Sequence, residues 1–198
     1  MNDGHRHFFD CNAARTITNN MLFVITGGPG SGKTTVLNEL TQRGFACVPE
    51  MARQIIQEQV RSNGDALPWG NTARYADLMM ERSVASYLEN SACREPTFLD
   101  RGLPDTLCYA GIIGLDADAV ARMRQTCETY RYHRRAFIAP PWEEIYSIDN
   151  ERKQTFAEAG DVYRRMVTTY QRCGYELIEL PKVTPGERVE FILHCMRL

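Results

Sequence analysis

Residues 27–34 read Gly27-Gly28-Pro29-Gly30-Ser31-Gly32-Lys33-Thr34. The stretch fits the pattern G-x-x-x-x-G-K-[ST], a phosphate-binding loop (P-loop) in which glycines let successive backbone N–H groups turn inward around phosphate oxygens. In this pattern Lys33 reaches the β- and γ-phosphates of a nucleotide, and the Thr34 hydroxyl is placed for Mg²⁺. The sequence therefore predicts a nucleotide site whose phosphate contacts come from Gly28, Pro29, Gly30, Ser31, Gly32, Lys33, Thr34 and Thr35.

The residues on both sides of the loop support this interpretation. The run Leu22-Phe23-Val24-Ile25-Thr26 is apolar, as expected of a parallel strand that is buried on both faces. Residues 35–40 after the loop predict a helix, whose N-terminus would add partial positive charge beside the phosphates. A strand, a glycine-rich turn and a helix in this order are the context that a P-loop requires.

Length and composition narrow the class of protein. A chain of 198 residues fits one domain, and 43% hydrophobic with 24% charged residues is ordinary for a soluble globular protein. The net charge of −2 argues against a dedicated nucleic-acid surface. Because no apolar stretch approaches the ~20 residues of a membrane span, we expect no membrane partner.

The cysteines and the first residues bear on the location of the protein. The seven cysteines show no C-x-x-C spacing, so the sequence suggests neither a zinc site nor a disulfide framework. The polar first residues do not form a secretory signal peptide, so reduced thiols and a cytoplasmic location are the simplest expectation.

Residues 1–20 are polar and unpatterned, which predicts a flexible N-terminal tail ahead of one P-loop domain over 21–198. From residue 21 the patterns of strands and helices alternate. Strands are predicted over 22–26, 45–48, 97–100, 135–138 and 176–180, and helices over 33–42, 51–62, 72–90, 105–113, 117–129, 152–172 and 186–196. This alternation predicts an α/β fold with a parallel sheet covered by helices on both faces, and with ligands at the carboxyl ends of its strands.

An acidic residue ends the third predicted strand. Leu99-Asp100 fits the Walker B arrangement, in which the carboxylate holds Mg²⁺ or its water shell. Many strands end in aspartate as a cap or a turn residue, but the P-loop upstream favours the metal role. Arg101 follows directly, and it could either reach a phosphoryl group or substrate anion or form an ion pair with a carboxylate.

A second acidic residue, Glu50, follows the second predicted strand and would open on the same cleft as the P-loop. Its carboxylate could accept a proton from an acceptor hydroxyl, belong to the water shell of Mg²⁺, or favour the N-terminus of the next helix. Arg53, one turn later, would pair with Glu50 or bind an acceptor anion. For Glu50 we favour the role toward the substrate, in which its carboxylate accepts the proton of an acceptor hydroxyl.

The segment after the fourth predicted strand carries two cations. Arg152 and Lys153 follow a double proline and a polar stretch, at the position where small P-loop kinases have a mobile lid. Lid cations neutralise charge on a transferring phosphoryl group, whereas the alternative for this segment is a solvated helix start. Trp69 and Trp142 could line an acceptor pocket or pack in the core.

Five segments within residues 21–198 carry a family resemblance: Met21–Thr35, Val48–Arg53, Phe98–Asp105, Pro140–Tyr146 and Glu151–Phe156. Together they resemble the small bacterial predicted-ATPase P-loop domains that are often grouped with the AAA domains. That family is similar in turn to nucleoside and nucleotide kinases, including the ribosylnicotinamide kinase domain of a bifunctional protein of NAD metabolism. The chain departs from oligomeric AAA+ machines because it has no sensor segments and no separate helical lid domain.

The resemblance implies a three-layer fold with five parallel strands in the order 2-3-1-4-5. It also implies that Glu50 and the pair Asp100-Arg101 line the side of the phosphoryl acceptor, and that Arg152 and Lys153 belong to the lid. The family's substrate is poorly defined, so the resemblance implies a reaction class and no particular acceptor.

These observations predict an enzyme that uses ATP and Mg²⁺ to phosphorylate a small nucleoside- or nucleotide-like acceptor. The predicted catalytic residues are Lys33, Glu50, Asp100, Arg101, Arg152 and Lys153, with Thr34 and Asp100 as metal ligands. The alternative is an ATPase switch that signals its nucleotide state to a protein partner. A GTPase is disfavoured because the sequence lacks N-K-x-D. The sequence leaves open whether the chain forms a homodimer.

Overall fold

The computed structural model describes residues 16–146 and 155–196, and its centre is a five-stranded parallel sheet. The strands are β1 (Leu22–Gly27), β2 (Ala46–Val48), β3 (Thr97–Asp100), β4 (Arg135–Ala139) and β5 (Glu176–Glu179). Their spatial order is β2-β3-β1-β4-β5, and every neighbouring pair is parallel. The predicted α/β class is confirmed, and the observed order is the predicted 2-3-1-4-5.

Helices follow each strand along the chain. Within the described residues they are α1 (Lys33–Gln42), α2 (Met51–Ser62), α3 (Thr72–Glu89), α4 (Leu103–Ile112), α5 (Ala117–Thr129), α6 (Phe156–Arg172) and α7 (Pro185–Met196). A short 3₁₀ helix, Glu143–Ile145, follows β4. No helix in this part of the chain combines the length and the hydropathy needed to cross a membrane.

The central strand β1 builds two hydrophobic clusters, one on each face of the sheet. Leu22 and Val24 pack in one cluster, while Phe23 and Ile25 pack in the other, because side chains alternate along a strand. Helices α3 to α6 contribute to the first cluster, and α1 and α7 to the second. Since β1 is buried at every residue, its sequence reads as a continuous apolar run.

Polar side chains set where several helices begin. The Asp105 carboxylate accepts a hydrogen bond from the Gly102 N–H (2.9 Å) and closes the first turn of α4, which starts two residues before its predicted position. Thr155 caps α6 by accepting from the Glu158 N–H (3.3 Å). The start that the sequence predicted for this helix, residues 152–154, lies outside the described residues.

The end of the predicted N-terminal tail is part of the folded unit. Ile17–Thr18 forms a short parallel pair with Tyr130–Arg131, and the Asn19 N–H donates to the Arg131 carbonyl oxygen (2.9 Å). The predicted boundary at residue 20 is therefore wrong on this side, because the backbone of residues 17–19 finds its partners in a segment more than 100 positions away. Residues 1–15, the remainder of the predicted tail, lie outside the described part of the chain.

We expect Tyr87→Phe to lower the free energy of unfolding by about 1 kcal/mol. The Tyr87 hydroxyl lies 2.9 Å from the Ile17 carbonyl oxygen and 3.0 Å from that of Arg131, so it joins the two short strands. Urea unfolding of the purified variants measures the loss. Tyr109→Phe is the matched control, because the buried Tyr109 hydroxyl has no hydrogen-bond partner among the described residues. Equal losses in both variants would contradict the role given to Tyr87.

Candidate active site

The P-loop lies between β1 and α1, as the sequence predicted, and two glycines are required by its geometry. Gly32 has φ +81° and precedes the first residue of α1, a left-handed conformation that other residues adopt only at a cost. A Cβ atom at Gly27 would lie 2.6 Å from the Ala139 carbonyl oxygen of β4. The loop can therefore turn tightly beside its neighbouring strand only with glycine at these positions.

Lys33 is folded over the loop. Its ammonium donates hydrogen bonds to the carbonyl oxygens of Gly27 (2.9 Å) and Gly28 (3.0 Å), and only 8% of the residue is exposed. Burial and, after it, the charge of Arg101 lower the pKa of Lys33 to about 8, although nearby carboxylates oppose the shift. The ammonium is thus a buried cation between the P-loop and a group of acidic side chains.

Arg188 of α7 fixes the loop from its other side, a contact that the sequence analysis missed. Its Nη1 donates to the Ser31 carbonyl oxygen (2.9 Å), and its Nε donates to the Pro181 carbonyl oxygen (2.8 Å). In a trans peptide the carbonyl and the following N–H point in opposite directions. Because Arg188 holds the Ser31 carbonyl, the Gly32 N–H is directed away from Arg188.

The surroundings of Arg188 are largely closed. The residue is 1% exposed, its guanidinium lies over the Trp142 ring at 4.9 Å, and its Nη2 is buried without a partner among the described residues. Trp142 therefore packs on Arg188 beside the P-loop. Trp69 is 69% exposed and does not line the cavity described below, so neither of its expected roles is supported.

The predicted acceptor-side residues meet at the carboxyl ends of β2 and β3. Glu50 precedes α2 but makes no side-chain cap hydrogen bond there. Its Oε1 accepts from Arg101 Nε at 2.7 Å. Burial raises the pKa of Glu50, but the charges of Arg101, Lys33 and Arg53 outweigh it and hold this pKa below its usual range. Of the two roles open to Arg101, the ion pair is therefore the one seen.

Arg101 adopts an unusual backbone conformation at this point. Its φ of +72° lies in the left-handed region, which costs a non-glycine residue of order 1–3 kcal/mol. Its own N–H donates to the Ile25 carbonyl oxygen (3.0 Å), and its side chain is held by two carboxylates. These contacts keep the guanidinium at the end of the sheet beside the P-loop.

Asp105 is the second partner of Arg101, and the sequence analysis gave it no role. Its Oδ1 accepts from Thr26 Oγ1 (2.6 Å) and from Arg101 Nη1 (3.0 Å). Its Oδ2 accepts from the Tyr170 hydroxyl (2.5 Å) and from the Gly102 N–H (2.9 Å). The carboxylate is 7% exposed, so these four donors satisfy a buried charge.

Asp100 has the feature expected of a cation ligand. Its Oδ1 is buried without a hydrogen-bond partner among the described residues, and burial raises the pKa of this carboxyl above its usual range. Thr34 lies exposed in the first turn of α1. Residues 16–146 and 155–196 contain no group of three or more His, Cys, Asp or Glu that could hold a metal. Mg²⁺ would therefore bind through few protein ligands together with phosphate oxygens, as is usual for this ion.

A cavity of about 270 Å³ lies beyond this charged group, and we call it the inner cavity. It extends from Pro29 of the P-loop, past Glu50 and Arg101, to side chains of α3, α4 and α6. Tyr75 and Tyr109 line it with their rings edge to face, 5.6 Å apart between centroids. A small molecule in this cavity would have one end at the P-loop.

The sequence thus located the loop and Glu50, Asp100 and Arg101, while Arg152 and Lys153 lie outside the described residues. It missed Asp105 and Arg188. A partial signal existed for Arg188, because it lies one helical turn before the apolar Ile192 and so on the inner face of α7. For Asp105 the signal was its position three residues after Gly102, where an acidic residue caps a helix.

Comparisons with known proteins agree with this geometry. A sequence model of the family described as AAA domain matches residues 22–188. A nucleotide-binding protein of Ruegeria sp. (strain TM1040) is 30% identical over 119 residues, which is 59% of this chain. The matched part of the chain spans only 36% of that relative's length.

Several solved structures share the fold at low sequence identity. The NadR protein in complex with NR superposes with a TM-score of 0.66 at 16% identity, over 90% of this chain and 52% of that one. Deoxyadenosine kinase from M. mycoides gives 0.61 at 12% identity, over 89% and 98% of the two chains. Thymidylate kinase from Ehrlichia chaffeensis gives 0.57 at 16% identity, over 90% and 99%. The expected class of P-loop kinases and ATPases is therefore confirmed at the level of fold.

We expect Asp105→Asn to lower the free energy of unfolding by about 3 kcal/mol, because it leaves Arg101 with one carboxylate fewer in a buried site. Chemical denaturation of both proteins measures the difference. The matched control is Asp161→Asn, whose carboxylate is 64% exposed in its ion pair with Arg164 and should change stability by less than about 0.5 kcal/mol. Similar losses in the two variants would show that the buried network does not stabilise the fold.

The affinity for a nucleoside diphosphate should fall at alkaline pH. Lys33 attracts phosphate only while protonated, and because its pKa is about 8, the charge is present below that pH and lost above it. We expect magnesium-free ADP to bind with constant affinity from pH 7 to 8 and about tenfold more weakly per unit above that. Calorimetry measures the profile, with Lys33→Arg as the control whose charge persists. A wild-type affinity that stays constant to pH 9.5 would contradict this expectation.

Proposed function

The chain belongs to the AAA domain family, and from this we propose that it is an ATP- and Mg²⁺-dependent phosphotransferase that acts on a small nucleoside- or nucleotide-like acceptor. One observation carries the proposal. The inner cavity begins at Pro29 of the P-loop and is lined at that end by Glu50, Asp100 and Arg101. A phosphate donor held by the loop and an acceptor in the cavity would therefore meet at these side chains.

On the donor side, the P-loop amides hold the β- and γ-phosphates of ATP. The Lys33 ammonium has three N–H donors and the loop carbonyls take two, so the third can serve the phosphates. Thr34 and Asp100 would hold Mg²⁺, which would neutralise part of the negative charge of the triphosphate. The buried, unpartnered Oδ1 of Asp100 fits this role.

On the acceptor side, Glu50 orients the reacting hydroxyl. The hydroxyl oxygen forms a bond to the γ-phosphorus while the bond from that phosphorus to the β–γ bridging oxygen breaks. The electron pair of the broken bond leaves with ADP, and the hydroxyl proton passes to the Glu50 carboxylate. Because its pKa is held below the usual range, Glu50 is ionised at neutral pH and accepts the hydrogen bond.

The cations around the transferring group stabilise its charge. Arg101 lies at the junction of loop and cavity, held in place by Glu50 and Asp105. We also assign Arg152 and Lys153 to the stabilisation of this charge. This assignment rests on the sequence alone, because both residues lie outside the described residues. Electrostatic stabilisation of this kind accounts for most of the rate in phosphoryl transfer.

Proteins of similar fold support the choice of reaction class. Two of the matched structures are a deoxyadenosine kinase with the products dCMP and dCDP and a thymidylate kinase. Both phosphorylate small acceptors, as their names state, and this chain covers nearly their full length. A cytoplasmic location and a homodimer stay predictions.

A panel of nucleosides, nucleotides and vitamins with γ-labelled ATP and Mg²⁺ tests the proposal. We expect label to move to one class of acceptor, and Lys33→Ala to reduce that transfer by about a hundredfold or more because a cation is lost beside the phosphates. The control is Lys182→Ala, which removes an exposed lysine and should leave the rate unchanged. Release of labelled phosphate without labelled acceptor would favour the ATPase switch instead.

A further inference from the structure

The walls of the inner cavity suit one small ring compound. Its volume of about 270 Å³ is close to the lower end of the range for small-molecule sites, about 300–1,000 Å³. Met79 and Met166 line it together with Tyr75 and Tyr109, and thioether and aromatic surfaces pack well against planar rings. The cavity is therefore matched in size and surface to a single planar molecule and not to a polymer.

The charges in the lining disfavour an anionic ligand. Three carboxylates and one guanidinium line the cavity: Glu50, Asp100, Asp105 and Arg101. Arg101 already contacts Glu50 at 2.7 Å and Asp105 at 3.0 Å. Asp100 is the residue assigned to Mg²⁺, so the balance inside the cavity rests on Glu50 and Asp105 against Arg101. Since electrostatic repulsion is strong in a buried site, a ligand phosphate placed here would still face an excess of negative charge. The described lining residues offer it no cation beyond the one that two carboxylates hold.

Lys33 and Arg53, the other cations of the described residues that act on Glu50, do not change this balance. Lys33 donates to the carbonyl oxygens of its own loop, on the donor side. Arg53 is exposed on α2 and acts on Glu50 through its charge, but it is not part of the lining. Neither residue is part of the lining of the cavity.

The hydrogen-bonding groups of the lining point to a ligand that donates. Ionised carboxylates such as Glu50 only accept hydrogen bonds. A doubly ionised phosphate group also only accepts, so it cannot form a hydrogen bond with them. The Tyr109 hydroxyl is buried and has no partner among the described residues, which costs free energy unless a ligand supplies one. Ligand hydroxyls can donate to Glu50 and pair with Tyr109.

We propose that the acceptor is a hydroxyl-bearing ring compound of the nucleoside class that carries no phosphate, and that nucleoside phosphates are poor acceptors. This inference rests on the proposed phosphotransfer, which adds one phosphate ester to a free hydroxyl. Tyr109 binds the acceptor from the wall of the cavity, and Glu50 binds the hydroxyl that reacts.

The test compares nucleosides with their own 5′-monophosphates. Purified wild-type protein is incubated with Mg²⁺ and γ-labelled ATP, together with a panel of ribonucleosides and deoxynucleosides or with the matching monophosphates. We expect at least one nucleoside to be phosphorylated with kcat/KM about tenfold or more above that of its monophosphate.

Tyr109→Phe then tests the contact with the acceptor. We expect KM for that nucleoside to rise about threefold to tenfold with little change in kcat, as for the loss of one hydrogen bond. Its thermal stability without acceptor should be equal to or above the wild-type value, because the hydroxyl pairs with no described residue and its removal breaks no hydrogen bond there. Tyr163→Phe is the matched control, since the Tyr163 hydroxyl contacts Glu179 and Tyr163 does not line the cavity.

The outcomes distinguish the proposed phosphotransferase reaction from the choice of a nucleoside as its acceptor. Equal or more efficient transfer to monophosphates overturns this inference and leaves the phosphotransferase in place. Phosphate release with no labelled member in either panel overturns the proposed function, and this inference with it. A KM that Tyr109→Phe leaves unchanged overturns the assignment of Tyr109 to the acceptor.

Discussion

The Asp105 carboxylate holds together the parts of the chain that form the site. Buried charge is tolerated only when it is paired and hydrogen-bonded, and Asp105 obtains its donors from the end of β1, from α6 and from the turn after β3. Because Arg101 is one of those donors, satisfying Asp105 also places the guanidinium beside Glu50. The stability of the fold and the arrangement of its charged side chains therefore share one cause.

In the P-loop, the backbone and the side chains that contact it have different roles. Its glycines permit the turn, but other groups set the directions of its peptides. Lys33 holds two of its carbonyls from one side, and Arg188 holds the Ser31 carbonyl from the other. A nest of backbone N–H groups binds anions only if those groups point the same way, so the contacts from α7 matter to the loop as much as its own sequence.

The two halves of the candidate site differ in polarity. The loop half offers N–H groups, a lysine and a helix N-terminus, which attract a polyphosphate. The inner cavity offers carboxylate oxygens, tyrosine hydroxyls and apolar walls, which suit a molecule with hydroxyl groups. Since phosphoryl transfer requires an anionic donor and a protic acceptor on either side of one point, this contrast is what the proposed reaction needs.

Local patterns in the sequence determine the fold class of this protein and the position of its candidate site. The spacing of Gly27 to Thr34 defines the loop, and the apolar runs define the strands. Because the strands are parallel, they bring Glu50, Asp100 and Arg101 to one edge of the sheet. The α/β class and the closeness of these three residues therefore follow from local patterns.

Other features join residues that are far apart in the chain. Asp105 pairs with Thr26 across 79 positions and Arg188 with Ser31 across 157, and the strand at Ile17–Thr18 pairs with Tyr130–Arg131. No periodicity encodes such partners, because each side chain is satisfied by whichever group the packed helices bring to it. The tertiary structure alone therefore decided that Arg101 is held by two acids, and that carboxylates and tyrosines meet apolar side chains in the lining of the cavity beside it.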